Sequence, residues 1–143
     1  SEQDINNLEE GMNIRLCKGI YNESPTIAIK EPDEINNNYL KLLKLGFKKN
    51  LFIGIATHDE ELIEKCCEII QKQNINNTRF EFQVLYGVPI TKTIKQLLSN
   101  DYNVRVYVPY GEDWYKYSMR RLKENPNISK YILNNLFKKN FYK

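Results

Sequence analysis

The sequence has no apolar run of membrane-spanning length. Its opening stretch SEQDINNLEEGMNIR has neither the apolar core of a secretory signal nor the Arg-rich, acid-poor character of a transit peptide. Cysteine is scarce: Cys17, Cys66 and Cys67 are an odd number, two of them adjacent, with no C-x-x-C spacing and no His-rich neighbourhood to complete a zinc site. They are expected to be reduced thiols in a reducing compartment, and no metal is expected. His58 is the single histidine, and no Ser-His-Asp or Cys-His constellation is assembled. Neither a G-x-x-x-x-G-K nor a G-x-G-x-x-G stretch offers a phosphate-cradling loop. Hydrolysis and Rossmann-type dinucleotide binding therefore lose ground. An excess of one charge is missing too: 21 basic and 18 acidic residues lie mixed along the chain, so the net +3 is no nucleic-acid footprint.

What is present is a rhythm. The 143 residues, 41% apolar and 12% aromatic, lie in the single-domain range. NIRLCKGIY (13–21) opens with a short strand, and DEINNNYLKLLKLGF (33–47) sets Ile35, Tyr39, Leu42, Leu43 and Phe47 on one helical stripe. LFIGIAT (51–57) is an apolar run of strand length, and HDEELIEKCCEIIQKQ (58–73) repeats apolar positions at Leu62, Ile63, Cys66, Ile69 and Ile70. FEFQVLY (80–86) precedes a helix over about 90–99, and VRVYVPY (104–110) precedes WYKYSMRRLKE (114–124). After the Asn125-Pro126-Asn127 break, ISKYILNNLFKKNFY (128–142) predicts a closing helix.

Four strands alternating with four helices predict a parallel sheet with right-handed crossovers. Parallel strands covered on both faces are apolar nearly throughout, yet Arg15, Glu81, Gln83, Arg105 and Tyr107 interrupt these, so something polar is being lined. An open doubly wound sheet and part of a (β/α)8 barrel both remain open. A complete barrel needs about 250 residues, so four units amount to half of one.

In either fold, functional groups gather where strands end. Those ends read Lys18-Gly19-Ile20-Tyr21, Ala56-Thr57-His58-Asp59, Gln83-Val84-Leu85-Tyr86-Gly87 and Tyr107-Val108-Pro109-Tyr110-Gly111. Thr57-His58-Asp59 at a helix start suits an anionic oxygen, or else Thr57 or Asp59 is a plain N-cap and His58 a loop residue. Arg15 needs an anion or carbonyl partner, with a salt bridge to Glu81 as the purely structural option. Lys18 either meets a phosphate or extends to water. Tyr117, Arg120, Arg121 and Glu124, spaced by three and four, share a flank of their helix, which suits either a carboxylate clamp braced by Glu124 or an ordinary solvated surface. Cations, tyrosines and amides around an anionic ligand suit a cofactor that carries the redox chemistry itself.

Taken together, RLCKGIY (15–21), IATHD (55–59), FEFQVLYG (80–87) and RVYVPYGEDWYKYSMRRLKENP (105–126) resemble the proline dehydrogenase family in order, spacing and placement. The resemblance implies the C-terminal half of a (β/α)8 TIM-type barrel, strands 5 to 8 and their helices, as one partial domain over 1–143. It implies FAD as cofactor, L-proline as substrate, Δ1-pyrroline-5-carboxylate as product and a quinone as electron acceptor, in the first step of proline degradation to glutamate. By the same resemblance, Arg15 lies near the flavin's reactive nitrogen, and Lys18, Gly19, Ile20 and Tyr21 form a loop that meets the cofactor. Thr57 and His58 hold its pyrophosphate and adenosine end. Arg120 and Arg121 grip the substrate carboxylate with Glu124 bracing them, while Tyr107 and Leu85 shape the pocket around the ring. Ile20 departs from the family's usual alanine, and Asn22 from a tryptophan seen in some relatives.

The family's earlier strands are not represented, so the chain is expected to be a fragment whose activity needs the N-terminal half of the barrel. The expected location is cytoplasmic or peripheral on the inner membrane, mitochondrial in a eukaryote. Two rival readings stay open: a non-catalytic half-barrel subunit, and an open parallel-sheet module that binds another phosphorylated ligand at Thr57 and His58.

Overall fold

The computed structural model describes residues 1–18, 24, 26–86, 88, 90–108, 110–113, 116 and 119. A short helix α1 (Glu2–Asn6) leads into strand β1 (Asn13–Cys17). Helix α2 (Pro32–Lys48), strand β2 (Phe52–Ala56) and helix α3 (Glu60–Lys72) follow. A 3-10 turn at Asn77–Arg79 then precedes β3 (Phe80–Leu85), α4 (Thr91–Ser99) and β4 (Val104–Tyr107). The expected helices over 114–124 and 128–142 lie outside the described residues, apart from Lys116 and Met119. Among the described residues no helix is long and apolar enough to cross a membrane.

Among the described residues all three strand pairings are parallel and the order is β1-β2-β3-β4. A doubly wound sheet reverses its strand order at a switch point, whereas a barrel adds each new strand on the same side. The sequential order is thus that of a (β/α)8 barrel segment, and the doubly wound alternative does not fit these four strands.

Side chains alternate across the sheet. One face carries Leu16, Ile53, Ile55, Phe80, Phe82 and Val84, all buried against the helices. Tyr39, Leu42, Leu43 and Phe47 of α2, with Leu62, Ile63, Cys66 and Ile70 of α3, cover it, as the helical periodicity predicts. Ile35 and Ile69, expected on the same stripes, are only half-buried. Phe80 is the hub, with ring centroids 6.2 Å from Phe47, 5.9 Å from Phe82 and 5.4 Å from Tyr102. The opposite face carries Arg15, Gly54, Glu81, Gln83, Arg105 and Tyr107, so the five polar interruptions noted in the sequence all fall on one side.

The connections that leave α2, α3 and α4 share one device. Asn50, Asn74 and Asp101 take left-handed φ values of 58°, 49° and 57°, each one residue beyond a helix C-cap. The next amide then reaches back to the last turn: Leu51 N to Gly46 O at 3.0 Å, Ile75 N to Ile70 O at 3.0 Å, and Tyr102 N to Leu97 O at 3.1 Å. This is the Schellman arrangement, and its apolar residues Leu51, Ile75 and Tyr102 all pack on the core. Asparagine and aspartate tolerate the left-handed region better than other non-glycine residues, which is why the turns form without glycine.

Two elements were not legible in the sequence. Helix α1 is too short to show a period, and tertiary contacts hold it: Ile5 is buried, Lys41 pairs with Glu2 at 2.6 Å, and Lys49 donates to the Asn6 carbonyl at 2.5 Å. The 3-10 turn is set by Asn76, whose side chain accepts from Thr78 N at 2.9 Å. Strand β4 ends at Tyr107 rather than Tyr110, its last carbonyl accepting from Tyr86 N at 2.8 Å.

Candidate functional site

The strand ends bring three pairings together. Lys18, just past β1, forms an ion pair with Asp59. Asp59, in an extended conformation (φ −77°, ψ 106°), is the N-cap of α3 and accepts from Leu62 N at 3.1 Å. The helix therefore starts at Glu60, two residues later than its sequence pattern suggests. Thr57 and His58 lie before the first turn rather than in it, and Asp59 is the cap. Burial alone would raise the Asp59 carboxyl, but Lys18, the Leu62 amide and Asn36 together hold it below its ordinary value. The Asp59 carboxylate is a partner for Lys18 that neither option, phosphate or water, included.

His58 is half-buried, and its Nε2 accepts from the backbone N–H of Leu85 at 2.8 Å. An acceptor nitrogen carries no proton, so the neutral ring bears its hydrogen on Nδ1. Burial, and secondarily the positive charge of Arg15, lowers the imidazole pKa and favours this form. Thr57 is buried, and its hydroxyl accepts from Asp59 N at 3.2 Å. The β2 end and the β3 end are thereby joined side chain to backbone, and Leu85 is held where β3 stops.

The third pairing lies on the polar face. Arg15 stacks over Tyr107, its guanidinium carbon 4.6 Å from the ring centroid, the range of a cation–π contact. The alternative of an Arg15–Glu81 salt bridge is incorrect. Glu81 is taken by Arg105, with Nε–Oε1 at 2.6 Å and Nη2–Oε2 at 2.8 Å. The reason is register: Glu81 lies opposite Gly54 on β2, one strand removed from Arg15, while Arg105 is on the adjoining β4. Arg105 holds the Glu81 carboxyl below its usual range, against the opposing effect of burial. Gln83 Nε2 adds a bond to Glu81 Oε1 at 2.8 Å, and the Tyr107 hydroxyl donates to Gln83 Oε1 at 3.3 Å.

Of the residues singled out in the sequence, Lys18, Thr57, His58, Leu85 and Tyr107 lie at the C-terminal ends of the strands, and Arg15, in the middle of β1, reaches Tyr107. Gly19, Ile20, Tyr21, Arg120, Arg121 and Glu124 lie outside the described residues. The partnership of Asp59 with Lys18 and the link through Gln83 were missed. The second had a visible signal: Glu81 and Gln83 are two apart on one strand, as are Arg105 and Tyr107 on the next, so each pair shares a face. All three cysteines are free, and burial pushes the Cys67 thiol up to about 11 and Cys66 higher still, leaving both as inert thiols.

The family model described as "Proline dehydrogenase" matches residues 6–133. The chain is 39% identical over 141 residues to proline dehydrogenase 2 of Bacillus subtilis (strain 168), covering 97% of this chain and 46% of that protein. It is 37% identical over 126 residues to the proline dehydrogenase of Deinococcus radiodurans, covering 88% and 40%. With proline dehydrogenase 1 of Bacillus subtilis (strain 168) the identity is 36% over 127 residues, covering 89% and 42%. The chain spans somewhat less than half the length of these curated relatives.

Proposed function

The chain belongs to the proline dehydrogenase family, and on that premise we propose that the whole protein is an FAD-dependent enzyme oxidising L-proline to Δ1-pyrroline-5-carboxylate. In this proposal the reaction is the first step of proline degradation to glutamate, and a quinone takes the electrons, which implies a peripheral position at the membrane that holds it. The chain supplies barrel strands 5 to 8, and the other half of the barrel completes the pocket.

The observation that carries the reading is Arg15. It lies exposed on the polar sheet face, stacked on Tyr107, and makes no ion pair with any described residue. A guanidinium with no counter-ion among the described residues, beside an aromatic ring and facing a barrel lumen, fits an electron-rich planar cofactor and an anionic substrate. FAD, when bound, supplies the hydride acceptor. Lys18 with Gly19, Ile20 and Tyr21 forms the loop against the cofactor, Asp59 holding Lys18 in place. Thr57 and His58 hold its pyrophosphate and adenosine end, where the Nδ1 hydrogen of neutral His58 is left to donate. Arg120 and Arg121 fork the proline carboxylate, Glu124 braces them, and Tyr107 and Leu85 bound the ring. The residues accelerate hydride loss from the ring carbon mainly by fixing the ring and excluding water, while the ring nitrogen gives up its proton to complete the C=N bond.

The test uses the full-length protein. It is expected to be yellow, to show flavin absorbance that bleaches on adding proline, and to reduce a quinone analogue in proportion to pyrroline carboxylate formed. A colourless protein that leaves proline unchanged refutes the proposal.

A further inference from the structure

We propose that Glu81 and Gln83 are positioning residues for Tyr107, fixing the direction of its hydroxyl and so the place of its ring between Arg15 and the substrate pocket. The inference rests on the proposed function for the identity of that pocket; the relay itself rests on hydrogen-bond chemistry.

An ionised carboxylate only accepts, so every neighbour of Glu81 must turn a donor towards it. Arg105 occupies both oxygens, and Gln83 therefore presents its NH2 group at 2.8 Å. The orientation of a glutamine amide is ordinarily ambiguous; here the ion pair decides it. With its nitrogen committed, Gln83 turns its carbonyl oxygen towards β4, where it can only accept. Tyr107 must donate, and does so at 3.3 Å. A charge on β3 thus dictates the direction of a hydroxyl on β4. Tyr107 stands on a strand with one described neighbour and is 37% exposed, so among the described residues this bond and the stack on Arg15 are what hold its ring.

Gly54 belongs to the same device. Gly54 pairs with Glu81 in the register, and a Cβ at Gly54 would lie 2.7 Å from Gln83 Cδ. The bare backbone lets the Gln83 side chain lie across β2, and an alanine would push it aside without removing any polar group.

A purely structural role for Glu81, Gln83 and Arg105 would destabilise the sheet on substitution but would not single out Tyr107. The full-length holoenzyme is therefore compared with Q83L, Y107F and the double variant, measuring the dissociation constant of the ring-oxygen analogue of proline, which has the ring and carboxylate but no amine to oxidise. Flavin content is measured alongside to confirm folding. Q83L and Y107F are each expected to weaken binding about three- to tenfold, the loss of one hydrogen bond, with KM for proline following and kcat moving less. Q83L in the Y107F background is expected to add nothing, because its partner is already gone. G54A gives a second route should Q83L fold poorly: it is expected to weaken binding in the wild-type background and to be silent in Y107F. Independent, multiplying effects of the two substitutions overturn the positioning role. Wild-type protein that neither binds the analogue nor oxidises proline overturns the functional proposal, and this inference with it.

Discussion

Phe80→Ala is the most demanding test of the core. The side chain is fully buried at the start of β3 and meets three other rings edge-on, at interplanar angles of 73°, 86° and 72°. Truncating a buried phenylalanine costs about 3–5 kcal/mol through lost transfer energy and the cavity left behind. Each edge-to-face pair adds roughly 0.5–1.5 kcal/mol beyond area burial, partly contained in that figure. The neighbours leave little room for collapse, since Phe47, Phe82 and Tyr102 are themselves buried and fixed by α2, β3 and the α4 turn. The upper end, about 4–5 kcal/mol, is therefore expected, a large fraction of the roughly 5–15 kcal/mol that holds a domain together. Phe80→Leu, which keeps most of the volume, is expected to lose less than half as much. Urea unfolding of the full-length protein, followed by far-ultraviolet ellipticity, measures both. A loss below about 1 kcal/mol for Phe80→Ala, no more than an average point substitution costs, refutes the description of Phe80 as the hub.

Three further outcomes are expected. His58 has a lowered pKa, so its folded form resists protonation; the stability it contributes is present above the ordinary value near 6.5 and is lost as pH falls below it. A denaturation midpoint that drops between about pH 6.5 and pH 5 in the wild type, and drops less in His58→Gln, checks this; equal slopes contradict it. Asn74→Val is expected to cost about 1–2 kcal/mol, because a β-branched residue resists the left-handed φ of 49°, while Asn74→Gly is tolerated; thermal melts that fail to separate the two count against the shared turn device. Arg121→Met in the full-length enzyme is expected to raise KM for proline strongly while flavin stays bound, and unchanged proline kinetics would sink the carboxylate clamp.

Much of the fold was legible because its signals are local. The apolar stripes of α2 and α3 repeat at helical spacing, the strands are short apolar runs between them, and alternation of the two predicts parallel pairing. Helix starts were less legible. The Thr57-His58-Asp59 triplet contains two good capping residues, and only the extended backbone at Asp59 shows which one caps. The left-handed turns at Asn50, Asn74 and Asp101 were present in the chain as residue types suited to that conformation, though Asn and Asp are so frequent here that the type alone does not mark the place.

The sequence by itself determined that polar side chains, Arg15 among them, interrupt the strands and that Lys18, His58, Leu85 and Tyr107 fall at strand ends, since period and position along a strand are properties of neighbouring residues. Tertiary structure alone decided the partners. Lys18 meets Asp59 across 41 positions, His58 meets the Leu85 amide across 27, and Glu81 meets Arg105 across 24. Those choices follow from which strands lie side by side and in what register, so one carboxylate that the chain offered to Arg15 went to Arg105. Arg15 was left to stack on Tyr107, facing the lumen that a complete barrel would enclose.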